Sequence, residues 1–171
     1  MAEILSTQIT WHEGTVTQAE RTKLLKQKGM TILAESRELT QPLVSQSTIV
    51  PRAFLQQYPD VAEGYLKGEI EGIAFAVAPK NKPAVIKTLM RRLRVDATAA
   101  EEGYSDMLRG VDRKPFASLE GMRNLQRLLK PRNPKIGELR VEDVVDNRIM
   151  RKLEESGFID RTFAAHGVSF R

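Results

Sequence analysis

Between residues 51 and 157 the sequence repeats one pattern: a residue that begins a helix, apolar residues at helical spacing, and a residue that ends the helix. Prolines and the polar residues preferred at N-caps mark the starts. The predicted starts are Pro51, Asp60, Asn81, Asp96, Ser118 and Asn147. Pro79, Pro131 and Gly157 mark ends. This punctuation predicts a succession of helices over most of the chain.

The part before residue 51 is predicted to be mixed. A helix is expected over residues 18–28, because cations gather in its last turn and Gly29 follows. Two short apolar runs, Met30–Ala34 and Leu43–Val50, are expected to be strands. Because two strands do not make a stable sheet alone, this part is predicted to be incomplete by itself.

The predicted helix at residues 60–78 carries glycines on one face and an apolar stripe on the other. The glycines are Gly64, Gly68 and Gly72, and the stripe is Leu66, Ile70, Ile73 and Val77. Each glycine inside a helix costs about 1 kcal/mol relative to alanine, so three of them indicate the close approach of another element. Both faces are therefore predicted to be buried, either by tight helix packing or, less favoured, around a ligand.

Composition excludes several kinds of chemistry. The chain has 171 residues, a net charge of +5 and no cysteine, which rules out disulfides, thiolate nucleophiles and cysteine-ligated metals. His12 and His166 lie at opposite ends of the chain, and no nucleophile elbow or glycine-rich phosphate loop occurs. The sequence therefore predicts a protein that is not an enzyme and that needs no cofactor or metal. No export signal and no apolar run of membrane-spanning length is present, so the sequence also predicts a soluble chain.

Two basic clusters, Arg91–Arg94 and Lys130–Lys135, leave an alternative open. Such clusters contact phosphates in nucleic acids, and a helical interaction or nucleic-acid-binding protein is the alternative function. However, the first cluster is expected at a helix C-terminus, where cations also complement the helix dipole. No aromatic residues are interleaved with either cluster, so nucleic acid is not favoured as a partner.

A polar run inside the second apolar segment is the candidate ligand site. Ser45, Gln46, Ser47 and Thr48 precede a helix that is expected to start near Pro51. Hydroxyl and amide groups before a helix N-terminus can hold an anion or a polar ligand. A solvent-facing alternation on an edge strand explains the same residues without a ligand.

Four stretches carry a resemblance to a known family: Lys28–Ala34, Pro51–Leu66, Pro115–Leu125, and a closing part made of Val145–Asp146 and Leu153–Asp160. In this order they resemble the C-terminal part of ABC transporter substrate-binding proteins of the nitrate/sulfonate/taurine/bicarbonate class. Proteins similar to thiamine-pyrimidine synthases belong to the same superfamily. The synthase branch relies on a cysteine-rich motif, and this cysteine-free chain has none, so the resemblance implies transport rather than synthesis.

The resemblance implies an α/β fold, the C-terminal portion of a type II periplasmic-binding-protein fold, mostly helical with a small incomplete sheet. Residues 18–50 would be the remnant of a second lobe and a return crossover strand, and residues 51–160 the helical part of a first lobe. Residues 1–17 are unassigned, and residues 161–171 form a tail.

The implied function is that of a fragment of the solute-binding component of an importer. It would bind a small anionic or sulfonate-like molecule by lobe closure, without chemistry, through the run from Ser45 to Thr48. The implied partners are a membrane permease and a missing N-terminal half, or a second copy through exposed strands. The family implies a periplasmic location, whereas the chain as written, without an export signal, would be cytoplasmic.

Overall fold

The computed structural model of the chain describes residues 25–26, 28–31, 42, 44 and 47–169, and helices are its regular elements. They are α1 (Arg52–Gln57), α2 (Pro59–Val77), α3 (Lys82–Leu93), α4 (Ala97–Gly110), α5 (Leu119–Leu129), α6 (Val141–Val144), α7 (Arg148–Glu155) and α8 (Phe158–Ala165). Two 3-10 turns, Pro79–Asn81 and Pro134–Glu138, precede α3 and α6.

The core lies where α2 packs against α7 and α8. Its fully or nearly fully buried side chains are Ile70, Ala74, Val77, Met150, Leu153, Ile159 and Phe163. Leu66 and Ile73 are partly buried beside them, so the apolar stripe predicted on α2 is confirmed as a packed face. Gly157, with φ of 71°, makes the left-handed turn that brings α8 back against α7 and α2, as its position after the predicted helix indicated.

Two further groups of helices surround this core. Helices α3 and α4 pack side by side, and Asp96 begins α4 by accepting a hydrogen bond from the Ala99 amide at 2.8 Å, as predicted. Ser118 caps α5 in the same way, accepting from the Gly121 amide at 3.0 Å. The residues just before α5 and α7 are joined by the side chain of Asn147. Its amide group accepts a hydrogen bond from the Ala117 amide and donates one to the Ala117 carbonyl, each at 2.9 Å.

The α/β fold expected from the sequence is wrong for the described residues, which contain helices but no strand or sheet. Met30 and Thr31 follow a turn, and residues 44 and 47–50 belong to no helix or strand. This second segment lies against helices instead: the Asn124 amide donates to the Pro42 carbonyl at 2.8 Å, and Val44 packs over Gly121. An apolar run pairs as a strand only when another strand is at hand, and the described partners here are helices.

Some expected helix boundaries also differ. Asp60 does not cap α2, which begins one residue earlier at Pro59. Asn81 is the N-cap residue of α3 as predicted, but its side chain does not cap the helix: the side-chain amide donates instead to the Phe75 carbonyl at 3.0 Å, near the end of α2. The tail expected from residue 161 begins inside α8, and Phe163 is fully buried in the core.

Candidate functional site

Two of the four predicted ligand-binding residues, Ser47 and Thr48, are exposed in the segment that precedes α1. Ser45 and Gln46 lie outside the described residues. The Thr48 hydroxyl donates a long hydrogen bond of 3.4 Å to the Oε2 atom of Glu69 on α2. The structure thus places Thr48 beside a carboxylate, which the sequence did not suggest.

The helix N-terminus expected to help this site is weak. Helix α1 has six residues, and neither an N-cap side chain nor a buried residue fixes its start. It is held by Phe54 and Tyr58, whose rings lie 5.5 Å apart, and by Arg52, whose guanidinium donates to the Asp143 carbonyl at 2.8 Å. Such a short helix adds little dipole, so any ligand at Ser47 and Thr48 would be held mainly by side chains.

The glycines of α2 line a face that the described chain does not cover. A Cβ atom built at Gly64, Gly68 or Gly72 would meet nothing within 4 Å, so the predicted burial of this face is wrong. Large apolar residues share the face and are exposed by 58% at Val61, 57% at Tyr65 and 42% at Phe75, whose ring also meets the His166 ring edge-on at 6.0 Å. We call these six residues the glycine face; they lie within about 100° of arc on the helix.

A signal for this face exists in the sequence. Val61, Gly68 and Phe75 are seven residues apart, a spacing that keeps side chains on one side of a helix. The sequence pattern identified the glycines but not the exposed aromatic and aliphatic residues between them. An apolar residue in a sequence does not show whether another part of the fold packs against it.

Acidic residues on α2 have different surroundings on its two sides. Glu63, at the edge of the packed face, pairs with Lys67 at 2.7 Å and with Lys152 of α7 at 2.5 Å. The hydrogen bonds from Lys152 and then Lys67 lower the pKa of Glu63 from 4.5 to about 2. Glu69 and Glu71 flank the glycine face, and neither forms an ion pair with a cation of residues 47–169.

The first basic cluster stands where the sequence placed it. Arg91 and Arg92 form the last turn of α3, and Arg94 ends the helix in a left-handed conformation with φ of 55°. All three side chains are exposed. Their position fits the interaction with the helix dipole, and a role with nucleic acid stays a prediction.

The rest of the described surface offers no metal site, no membrane-spanning helix and no enclosed pocket among its best-formed hollows. No group of three or more histidine, aspartate or glutamate side chains is arranged to hold a metal ion there. None of the described helices combines the length and apolar character required to cross a bilayer. The surface hollows near the end of α8, which Gly167, Val168 and Ser169 line, are wide open to solvent.

Comparison with known proteins adds no family. A scan against protein-family models, a search of curated proteins and a search of solved structures each gave no match to this chain.

Proposed function

We propose that this chain is part of the solute-binding component of an ABC importer and binds a small sulfonate-like molecule without chemical change. The proposal rests on the resemblance carried by the four stretches and on the exposed hydroxyls of Ser47 and Thr48. Exposed hydroxyl groups can donate hydrogen bonds to sulfonate oxygens, which accept readily.

The carboxylate of Glu69 beside Thr48 is the single observation that narrows the chemical class of the ligand. Glu69 Oε2 lies 3.4 Å from the Thr48 hydroxyl, so a purely anionic ligand such as nitrate would meet like charge there. A zwitterion with an ammonium group at one end and a sulfonate at the other fits both groups. The ammonium would replace the Thr48 hydroxyl as the donor to Glu69, which frees the hydroxyl proton of Thr48, beside that of Ser47, for the sulfonate oxygens. Taurine has this chemistry, so it is the first ligand to test.

Calorimetric titration of the full chain tests the proposal with taurine, with ethanesulfonate, which lacks the ammonium group, and with nitrate. We expect taurine to bind most tightly. Glu69→Gln should weaken taurine binding and strengthen ethanesulfonate binding, because it removes the negative charge. The double variant Ser47→Ala and Thr48→Val should weaken both ligands.

Thr88→Val is the matched control, because the Thr88 hydroxyl donates only within α3, to the Ala84 carbonyl at 2.9 Å. It should leave every affinity unchanged. The absence of binding heat for all three ligands, or equal taurine affinity in the Glu69→Gln variant, would contradict the proposal.

A further inference from the structure

The glycine face of α2 has the properties of a surface that another helix covers, and Glu69 at its edge is shared with the proposed ligand site. It extends along a 19-residue helix, about 28 Å at 1.5 Å per residue. Its centre is free of side-chain atoms, whereas Val61, Tyr65 and Phe75 expose apolar area around it. Small residues in the middle of a face allow a second helix backbone to approach closely.

The three glycines destabilise helix α2 unless another backbone packs closely against them. Each one lowers helix stability by about 1 kcal/mol relative to alanine, and no atom beyond the helix lies near any of the three positions. Within the described chain nothing offsets this cost. Contact with a partner helix would offset it, because a methyl group at these positions would then hold the two backbones apart.

The charges on either side of the face indicate which kind of helix fits. Glu69 lies at one edge and Glu71 at the other, and both are exposed. On the packed side of the same helix, Glu63 is paired with two lysines, Lys67 and Lys152. Two copies of this face would bring Glu69 and Glu71 close to their own counterparts, which like-charge repulsion opposes.

We propose that the glycine face docks an α-helix of a partner protein whose apolar side is flanked by lysine or arginine. Glu69 and Glu71 pair with those cations, Val61, Tyr65 and Phe75 supply the apolar contacts, and the glycines allow the helices to touch. Thr48 contacts Glu69 at one edge of the face, and its neighbour Ile49 is 88% exposed.

Fluorescence anisotropy with two synthetic helical peptides of about 20 residues tests this, both with an alanine and leucine face. One peptide has lysine at the flanking positions and the other has glutamate. The lysine peptide should bind the full chain, and binding should weaken as salt rises from about 50 to about 500 mM. The glutamate peptide should not bind. Equal binding of both peptides, or binding of neither, would overturn the proposal.

Variants locate the binding on the face. Gly68→Leu should weaken binding of the lysine peptide by about tenfold or more, because the side chain stands where the partner backbone belongs. Gly110→Leu is the matched control: Gly110 is an exposed helical glycine of α4, and a Cβ there also meets nothing within 4 Å. Circular dichroism should show both variants folded.

The double variant Glu69→Lys and Glu71→Lys should reverse the preference, binding the glutamate peptide instead. It keeps the glycines and the apolar residues and changes only the flanking charge. If Gly68→Leu binds as well as the unchanged chain, or if the charge reversal leaves the preference for the lysine peptide, the helix-docking site is excluded.

Discussion

Glycine occurs within helices α2 and α5, and its surroundings differ between them. A Cβ at Gly121 of α5 would lie 3.0 Å from Val44 Cγ2 and 3.2 Å from the Val44 backbone nitrogen. A Cβ at Gly64, Gly68 or Gly72 of α2 would meet nothing within 4 Å. Packing inside the chain therefore explains the glycine in α5 and leaves those of α2 without a reason in the described chain.

The two faces of α2 extend this contrast. Ile70 is fully buried against α7 and α8, whereas Val61, on the glycine face, is 58% exposed. The difference shows that a helix can be fixed by one face while the other remains available. We expect substitutions to follow it: large losses on the packed face, and gains or no effect on the glycine face.

The largest effect is expected at the packed face. Ile70→Ala should lower the free energy of unfolding by about 2–5 kcal/mol, because it removes a fully buried side chain and leaves a cavity. Val61→Ala, on the glycine face, should change it by less than about 0.5 kcal/mol. Urea denaturation of both variants measures this, and similar losses would mean that the glycine face is also packed in solution.

The next effect is expected at Gly121. Alanine there is favoured by about 1 kcal/mol of helix propensity, but its methyl group is forced against Val44, and overpacking costs about 1–3 kcal/mol. Because one of the close atoms is backbone, relaxation is limited and we expect a net loss in the free energy of unfolding. A gain in that free energy would show that Val44 does not pack against α5.

The opposite sign is expected at Gly68. Gly68→Ala should raise the free energy of unfolding by about 1 kcal/mol, because the methyl group finds open space and alanine is the better helix former. Thermal or urea unfolding of this variant beside Gly121→Ala compares the two helices directly. A loss at Gly68 would remove the contrast on which the docking proposal depends.

The smallest effect is expected from the ion pairs of Glu63. Lys152 and Lys67 lower the pKa of Glu63 to about 2, so the folded state holds this carboxylate charged at pH values where the unfolded chain binds a proton. The pairs therefore stabilise the fold above about pH 4.5, and that contribution is lost as the pH falls towards 2.

The unfolding temperature measured between pH 6 and about pH 2 checks this sign. The unchanged chain should lose more than the Glu63→Gln variant, which has no proton to bind at this position. An equal loss in both proteins would mean that the two lysines do not hold Glu63 in solution.

The sequence predicted helices α1 to α7, because their ends depend on local residues, but it did not predict α8. Asp96, Ser118 and Gly157 act where they stand, through their own side chains or backbone conformation. The prediction from sequence failed where the secondary structure of a segment depends on residues far away in the chain. The run at residues 43–50 has strand-forming residues, but its described contacts are with helices, so the α/β prediction was wrong.

The same limit applies to the candidate sites. Ser47 and Thr48 could be named from the sequence, but the carboxylate of Glu69, 21 positions from Thr48, could not. The burial of Phe163 was also missed, although Ile159 and Phe163 are four residues apart and share one helix face. The glycines were found, but only the surrounding space distinguishes a packed face from an open one.

The central claim is that the glycine face of α2, which the described residues leave uncovered, docks a helix flanked by basic residues. Nuclear magnetic resonance of the backbone amides tests it most directly, because glycine signals are few and separate from most others. Addition of the lysine-flanked peptide should shift the amide signals of Gly64, Gly68 and Gly72 and leave those of Gly103 and Gly110 in α4 unchanged. Shifts at the α4 glycines, or none at the three of α2, would contradict the claim.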